Sequence, residues 1–97
     1  MNNKDRFIEW YVAQINPRTG KLRSENSAKT YLTFINRLVL NELVPQSIFD
    51  CDAGKFARLV RAAEKKNPVR FAALNNHENL KDGIKWYKRF LDEEVSK

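Results

Sequence analysis

Apolar residues recur at intervals of three and four along most of the chain, which is the spacing of one face of an α-helix. The first such run predicts a helix over residues 4 to about 15. Asn16 ends it, because the residue before a proline, here Pro17, avoids the helical conformation. The apolar residues of this helix are Phe7, Ile8, Tyr11, Val12 and Ile15.

The second run is longer and has a clear start. Ser24 or Asn26 can cap it by accepting a hydrogen bond from a free backbone N–H, and Glu25 in the first turn suits the helix dipole. The pattern continues for about five turns and stops at Pro45. Its apolar residues are Ala28, Tyr31, Leu32, Ile35, Leu38, Val39 and Leu43.

Two further helices are predicted in the second half of the chain. One is capped by Asp50 or Asp52, runs to about residue 66 and has an apolar face. Pro68 closes it, and residues 69–74 are predicted as a short helical turn. A last helix, preceded by Asn75 or Asn76, runs to about residue 94. The apolar residues of these two helices are Phe56, Leu59, Val60, Ala63, Leu80, Ile84, Tyr87 and Leu91, with Trp86 and Phe90 as a second stripe.

The fold class predicted from this pattern is all-α. No segment alternates like a strand, and no Asn-Gly or Asp-Gly turn joins two such segments. A chain of 97 residues has room for one core. We therefore expect a single compact bundle of four to five helices over residues 3–95.

Several kinds of chemistry are disfavoured by composition. One cysteine, Cys51, allows no internal disulfide, and one histidine, His77, forms no metal cluster or serine-type triad. The carboxylates beside Cys51 oppose a reactive thiolate. We expect no metal, no cofactor and no isolated enzyme. Without an apolar run of membrane-spanning length or a secretory signal, the chain is predicted to be soluble and cytoplasmic.

Positive charge is concentrated in the second half of the chain. The formal net charge is +6, and residues 55–89 contain ten basic and three acidic side chains. Such an excess favours a polyanionic partner, although surface helices are also often rich in Lys and Arg for solubility alone. The sequence is compatible with both interpretations.

Helical spacing predicts two rows of cations. The first is Lys55, Arg58, Arg61 and Lys65, and the second is Lys81, Lys85, Lys88 and Arg89. Two such rows on neighbouring helices would displace counterions from duplex DNA. Further candidates for phosphate or base contacts are Arg18, Lys21, Arg23, Ser27, Thr30 and Arg70.

The arrangement resembles the N-terminal core-binding domain of tyrosine recombinases and phage integrases, a SAM-like helical bundle. The resemblance covers residues 5–94. It rests on Ser27, Thr30, Tyr31, Leu32, Phe34 and Leu38 in SAKTYLTFINRL, on the SIFD link, on Phe56 and Leu59, and on NLKDGIKWYKRFLDEE. The segment PVRFAALNNHEN is longer and richer in Asn than the usual link of the family.

This resemblance implies a helical module that grips one face of double-stranded DNA, with a separate C-terminal catalytic domain in the parent protein. It implies DNA integration or recombination as the process. None of the family's catalytic residues maps onto this chain, and Tyr11, Tyr31 and Tyr87 are predicted to be packing residues. The alternative is a protein-interaction or assembly module of a DNA-processing or defence protein, which docks through Trp10, Trp86 and Phe90.

Overall fold

The structure, a computed structural model, describes residues 2–74 and 78–95. Five α-helices run through this part of the chain, and their bounds are α1 Asn3–Val12, α2 Glu25–Leu40, α3 Ala53–Lys66, α4 Pro68–Leu74 and α5 Glu78–Phe90. A 3₁₀ turn, Gln46–Phe49, precedes α3, and a π-helical turn, Leu91–Val95, follows α5. No regular strand occurs in these residues, and the all-α prediction is confirmed.

The starts of four helices are fixed by side-chain caps. Asn2, Ser24, Asp52 and Asn67 each accept a hydrogen bond from the backbone N–H three residues further on. Each bond satisfies a donor that the first helical turn leaves without a partner. Of the caps that the sequence allows, the structure selects Ser24 for α2 and Asp52 for α3. Asn75, Asn76 and His77 lie outside the described residues.

The first helix ends three residues earlier than its apolar spacing predicts. Ile15 forms an isolated antiparallel bridge with Leu22, and the N–H of Asn16 donates to the carbonyl of Lys21 at 2.8 Å. These bonds make a tight hairpin between α1 and α2. Because of this hairpin, Ile15 is 63% exposed, although periodicity predicts it on the apolar face of a helix.

The end of α2 has a left-handed residue. Glu42 has φ 60°, and the N–H of Leu43 donates to the carbonyl of Leu38 at 3.0 Å. This is the Schellman pattern, in which glycine is preferred because a Cβ disfavours positive φ. The turn places Leu43 and Val44 in the core although the helix has already ended.

Replacing Glu42 by glycine is expected to stabilise the protein by about 0.5–1 kcal/mol, because the strain at this position is relieved. The melting temperature, followed by circular dichroism, should rise by a few degrees. Glu42→Ala is the matched control, since it removes the same carboxylate and keeps the Cβ. An equal rise in both variants would show that charge, rather than backbone conformation, is responsible.

Tyr87 lies at the centre of an aromatic core. Its ring centroid is 5.1 Å from that of Phe7 and 5.4 Å from that of Phe56, so it joins α1, α3 and α5. Its hydroxyl donates to the carbonyl of Phe49 at 2.8 Å, and the side-chain amide of Asn3 donates to the same oxygen. Burial raises the pKa of Tyr87 above its ordinary value, because the ionised phenolate would lose its hydration.

This buried hydroxyl predicts a loss of stability in alkali. In the unfolded chain a tyrosine ionises near pH 10, whereas folded Tyr87 keeps its proton. Its contribution is therefore complete below about pH 10 and falls as the pH rises, by about 1.4 kcal/mol per pH unit.

Tyr87→Phe tests this contribution. The variant should be about 1 kcal/mol less stable than the wild type in urea unfolding at pH 7, because one buried hydrogen bond is lost. That difference should shrink or reverse by pH 11. A difference that stays constant between pH 7 and pH 11 would contradict the assignment.

Gly83 allows α2 and α5 to pack unusually closely. It is buried, and a Cβ built on it would lie 3.1 Å from the Cβ of Tyr31 and 3.2 Å from the carbonyl oxygen of Tyr31. Both distances are shorter than ordinary carbon contacts. The absence of a side chain at Gly83 therefore sets the separation of the two helices, and with it the position of α5.

Candidate nucleic-acid interface

Helices α3 and α5 lie side by side, with the start of α3 near the end of α5. Phe56, in the second turn of α3, contacts Tyr87 in the last turns of α5. An open groove of about 310 Å³ runs between the two helices. It is lined by Phe56, Ala57, Val60, Arg61, Glu64, Ile84 and Lys88.

One cation of α3 lines this groove, and two more share its side of the helix. Arg61 lines the groove itself. Arg58 and Lys65 lie three residues before and four residues after it, which in a helix puts them on the same side. All three side chains are exposed.

Three lysines of α5 share one side of that helix, and one of them lines the groove. Lys88 lines it, and Lys85 and Lys81 follow at intervals of three and four residues back along the helix. These side chains are exposed as well. We refer to the six residues Arg58, Arg61, Lys65, Lys81, Lys85 and Lys88 as the α3–α5 cationic surface.

The charges of this surface are not neutralised within the described parts of the chain. There, the ion pairs join Lys29 to Glu25 and Arg89 to Glu93, and neither involves the α3–α5 cationic surface. Glu64 lines the groove but forms no ion pair with Arg61 or Lys88. Exposed, unpaired cations in two adjacent rows produce a positive potential that attracts an anion.

Arg89 does not continue the row on α5. Its Nε donates to Glu93 at 2.7 Å, and its guanidinium lies over the rings of Trp86, at 5.2 Å, and Trp10, at 5.9 Å. It therefore faces α1 rather than α3. Helical spacing alone placed it beside Lys85 and Lys88, because consecutive positions at the edge of a stripe are hard to assign to one side.

Arg23 is a packing residue as well as a charge. Its guanidinium lies 4.5 Å from the Trp86 ring centroid and 5.8 Å from that of Tyr11, and its Nε is buried without a hydrogen-bond partner. The positive charge is stabilised here by the electron-rich faces of the rings. The hairpin residue Arg23 thus closes over the α1 side of α5, away from the groove.

The remaining sequence candidates are not brought to the groove. Lys55 shares the side of α3 that carries Leu59 and Lys66, Arg70 lies exposed on α4, and Arg18 and Lys21 lie exposed in the hairpin. Ser27 receives a hydrogen bond from the hydroxyl of Ser24 at 2.9 Å, which makes it part of the α2 cap. Thr30 follows in the next turn of α2 and is half-buried.

The aromatic residues of the alternative hypothesis pack mainly on one another. Phe90 has 0% exposure. Trp10 and Trp86 are half-buried, with ring centroids 5.9 Å apart, and Arg23 and Arg89 lie over Trp86. The second apolar stripe of α5 therefore packs against α1, and the two indoles stay partly exposed.

No group of three or more His, Cys, Asp or Glu side chains within residues 2–74 and 78–95 is arranged to hold a metal ion. Burial raises the pKa of the Cys51 thiol, and its neighbours Asp52 and Asp50 act in the same direction. The thiol donates to the carbonyl of Ile48 at 3.3 Å. None of the described helices combines the length and the apolar character needed to cross a membrane.

The groove itself was not predicted. Periodicity assigned Val60 and Ile84 to the core, yet both are half-buried and line a cleft that is open to solvent. Their position at the edge of each apolar stripe, next to Arg61 and Lys88, is the one signal in the sequence. A stripe edge does not reveal whether a neighbouring helix covers it.

Comparison with known proteins identifies no relative, so the functional assignment rests on the geometry of the structure. The chain matches no protein-family model, and searches of curated proteins and of solved structures gave no significant match.

Proposed function

We propose that this chain is a helical DNA-binding module that holds duplex DNA by its phosphates through the α3–α5 cationic surface. The observation that supports this proposal best is the pair of exposed cationic rows on adjacent helices, none of whose members has a carboxylate partner in the described chain. Phosphate contacts of this kind supply most of the affinity of sequence-independent binding.

The arginines and lysines of this surface have different roles in the proposal. Arg58 and Arg61 can present paired N–H donors to a phosphate or to a guanine edge, whereas the four lysines act as point charges. Lys55, Arg70, Arg18 and Lys21 are exposed and belong to a wider, weaker part of the interface.

The resemblance to the core-binding domain of tyrosine recombinases supports a more specific version. In it, the chain is the non-catalytic, DNA-gripping part of an integrase or a related recombinase, which acts in the cytoplasm together with a C-terminal catalytic domain. The all-α bundle and the position of the basic helices late in the chain are compatible with this version. No cofactor is needed for such binding.

A salt titration tests the proposal directly. Fluorescence anisotropy of a labelled 20-base-pair duplex should show binding at 50 mM salt. Six phosphate contacts predict that log affinity falls with log salt with a slope of about −5, which is roughly a 10³-fold loss between 50 and 200 mM. An unlabelled duplex of unrelated sequence should compete equally well. No binding at 50 mM salt, or affinity that does not change with salt, would reject the proposal.

A further inference from the structure

The groove between α3 and α5 contains a feature that phosphate binding does not use. Val60, Ile84 and Ala57 are half-buried and form an apolar floor that is open to solvent. A DNA backbone is anionic and hydrated, so it gains nothing from this floor. Apolar side chains do gain, since each would be removed from water on entering the groove.

The size and charge of the groove restrict what can occupy it. About 310 Å³ is room for one or two large apolar side chains, and it is too small for a folded domain. The charged residues of its lining are Arg61 and Glu64 on α3 and Lys88 on α5, which leaves one net positive charge, and Arg58, Lys65 and Lys85 are exposed on the same two helices. An occupant therefore needs apolar groups at the centre and carboxylates placed against Arg61 and Lys88, away from Glu64.

We propose that the groove is the docking site of an acidic amphipathic helix from a partner protein, which inserts Leu-type side chains between Val60 and Ile84 and places carboxylates against Arg61 and Lys88. Recognition of an apolar stripe by a groove is a common way in which helices bind. The flanking cations supply charge complementarity, which raises the association rate and selects acidic partners. Arg61 and Lys88 also belong to the proposed DNA surface, so a bound partner helix excludes DNA. This regulatory consequence rests on the proposed function, whereas the docking of the helix is independent of it.

Two synthetic peptides test the docking. The first is a 14-residue helix with Leu at intervals of three and four and Glu at most other positions, and the second has Ala in place of each Leu. Both carry the same charge and favour the helix, so they differ only in apolar contact. The Leu peptide is expected to bind at least tenfold more tightly in a fluorescence anisotropy assay. Equal affinities would overturn the proposal, because they would show attraction by charge alone.

Substitutions in the apolar floor of the groove test whether the peptide binds there. Ala57→Leu fills the groove from within without removing core atoms, and it should weaken the Leu peptide at least tenfold while the affinity for a 20-base-pair duplex changes less than twofold. Ile84→Ser provides the same test by removing part of the floor, and circular dichroism checks its folding. Unchanged peptide affinity in folded Ala57→Leu and Ile84→Ser would place the peptide elsewhere and reject the groove.

Competition separates this proposal from the DNA proposal. The Leu peptide should displace labelled duplex, and Arg61→Gln with Lys88→Gln should weaken both ligands. Selective binding of the Leu peptide without any duplex binding would retain the docking site and reject both DNA binding and its regulation. Duplex binding with no preference between the two peptides would retain the proposed function and reject the docking site.

Discussion

Gly83→Val is expected to destabilise the protein by about 3 kcal/mol or more. The new Cβ would lie 3.1–3.3 Å from the Cβ, the carbonyl oxygen and the Cα of Tyr31, and two further methyl groups would add to the crowding. Helices α2 and α5 must then separate, and the contacts around Gly83 are lost. A domain of this size has a total stability of only about 5–10 kcal/mol.

Two controls show whether crowding is the cause. Gly54 lies exposed in the first turn of α3, where a Cβ meets nothing closer than 3.4 Å, so Gly54→Val should change the stability by less than about 0.5 kcal/mol. Tyr31→Ala combined with Gly83→Val should not rescue the fold, because the crowded atoms of Tyr31 remain in alanine. Urea unfolding monitored by circular dichroism measures each variant, and wild-type stability in Gly83→Val would contradict the close packing.

The helices were predictable because their apolar periodicity and their caps agree. Ala28, Ile35 and Leu38 repeat over several turns behind Ser24, and α2 forms where both signals indicate it. The end of α1 was predicted wrongly because another local structure competes with the helix there. Ile15 fits the helical spacing, but the bridge to Leu22 satisfies its local backbone in a hairpin instead, and spacing alone cannot detect a competing turn.

The sequence gives only a weak signal that another helix packs closely against Gly83. A glycine inside a helix costs about 1 kcal/mol relative to alanine, which suggests that its lack of a side chain is used. The sequence does not say which helix approaches it. Tyr31 is 52 positions away along the chain, and its distance from Gly83 depends on how the whole bundle packs.

The cationic surface was predictable in outline, whereas its boundaries depend on packing that the sequence does not show. Arg58, Arg61 and Lys65 share a side by spacing alone, and so do Lys81, Lys85 and Lys88. That one member of each group, Arg61 and Lys88, lines a shared groove depends on the packing of α3 against α5, which spacing does not give. Arg89 and Arg23 were assigned to DNA because their charge is visible in the sequence, whereas their positions over Trp86 are not.

A triple substitution of the cationic surface should greatly weaken DNA binding and leave the fold intact. Arg58→Gln, Arg61→Gln and Lys85→Gln remove three exposed charges that take part in no ion pair of the described chain. The slope of log affinity against log salt should become shallower by about three. At 100 mM salt the affinity for a 20-base-pair duplex should fall roughly 10- to 100-fold.

The matched control removes the same charge from elsewhere on the molecule. Lys29, Arg37 and Lys66 are exposed and lie outside the α3–α5 cationic surface, so their replacement by Gln lowers the net charge equally. Lys29 pairs with Glu25 and Arg37 lies over the Phe34 ring, so a circular dichroism spectrum must show that this control is folded. If the surface is the binding site, this control should lose less than about threefold in affinity, through the weaker overall field alone. An equal loss in both triple variants would mean that DNA responds to net charge and not to this surface. Unchanged affinity in the surface variant, with a wild-type circular dichroism spectrum, would place the DNA on another face of the bundle.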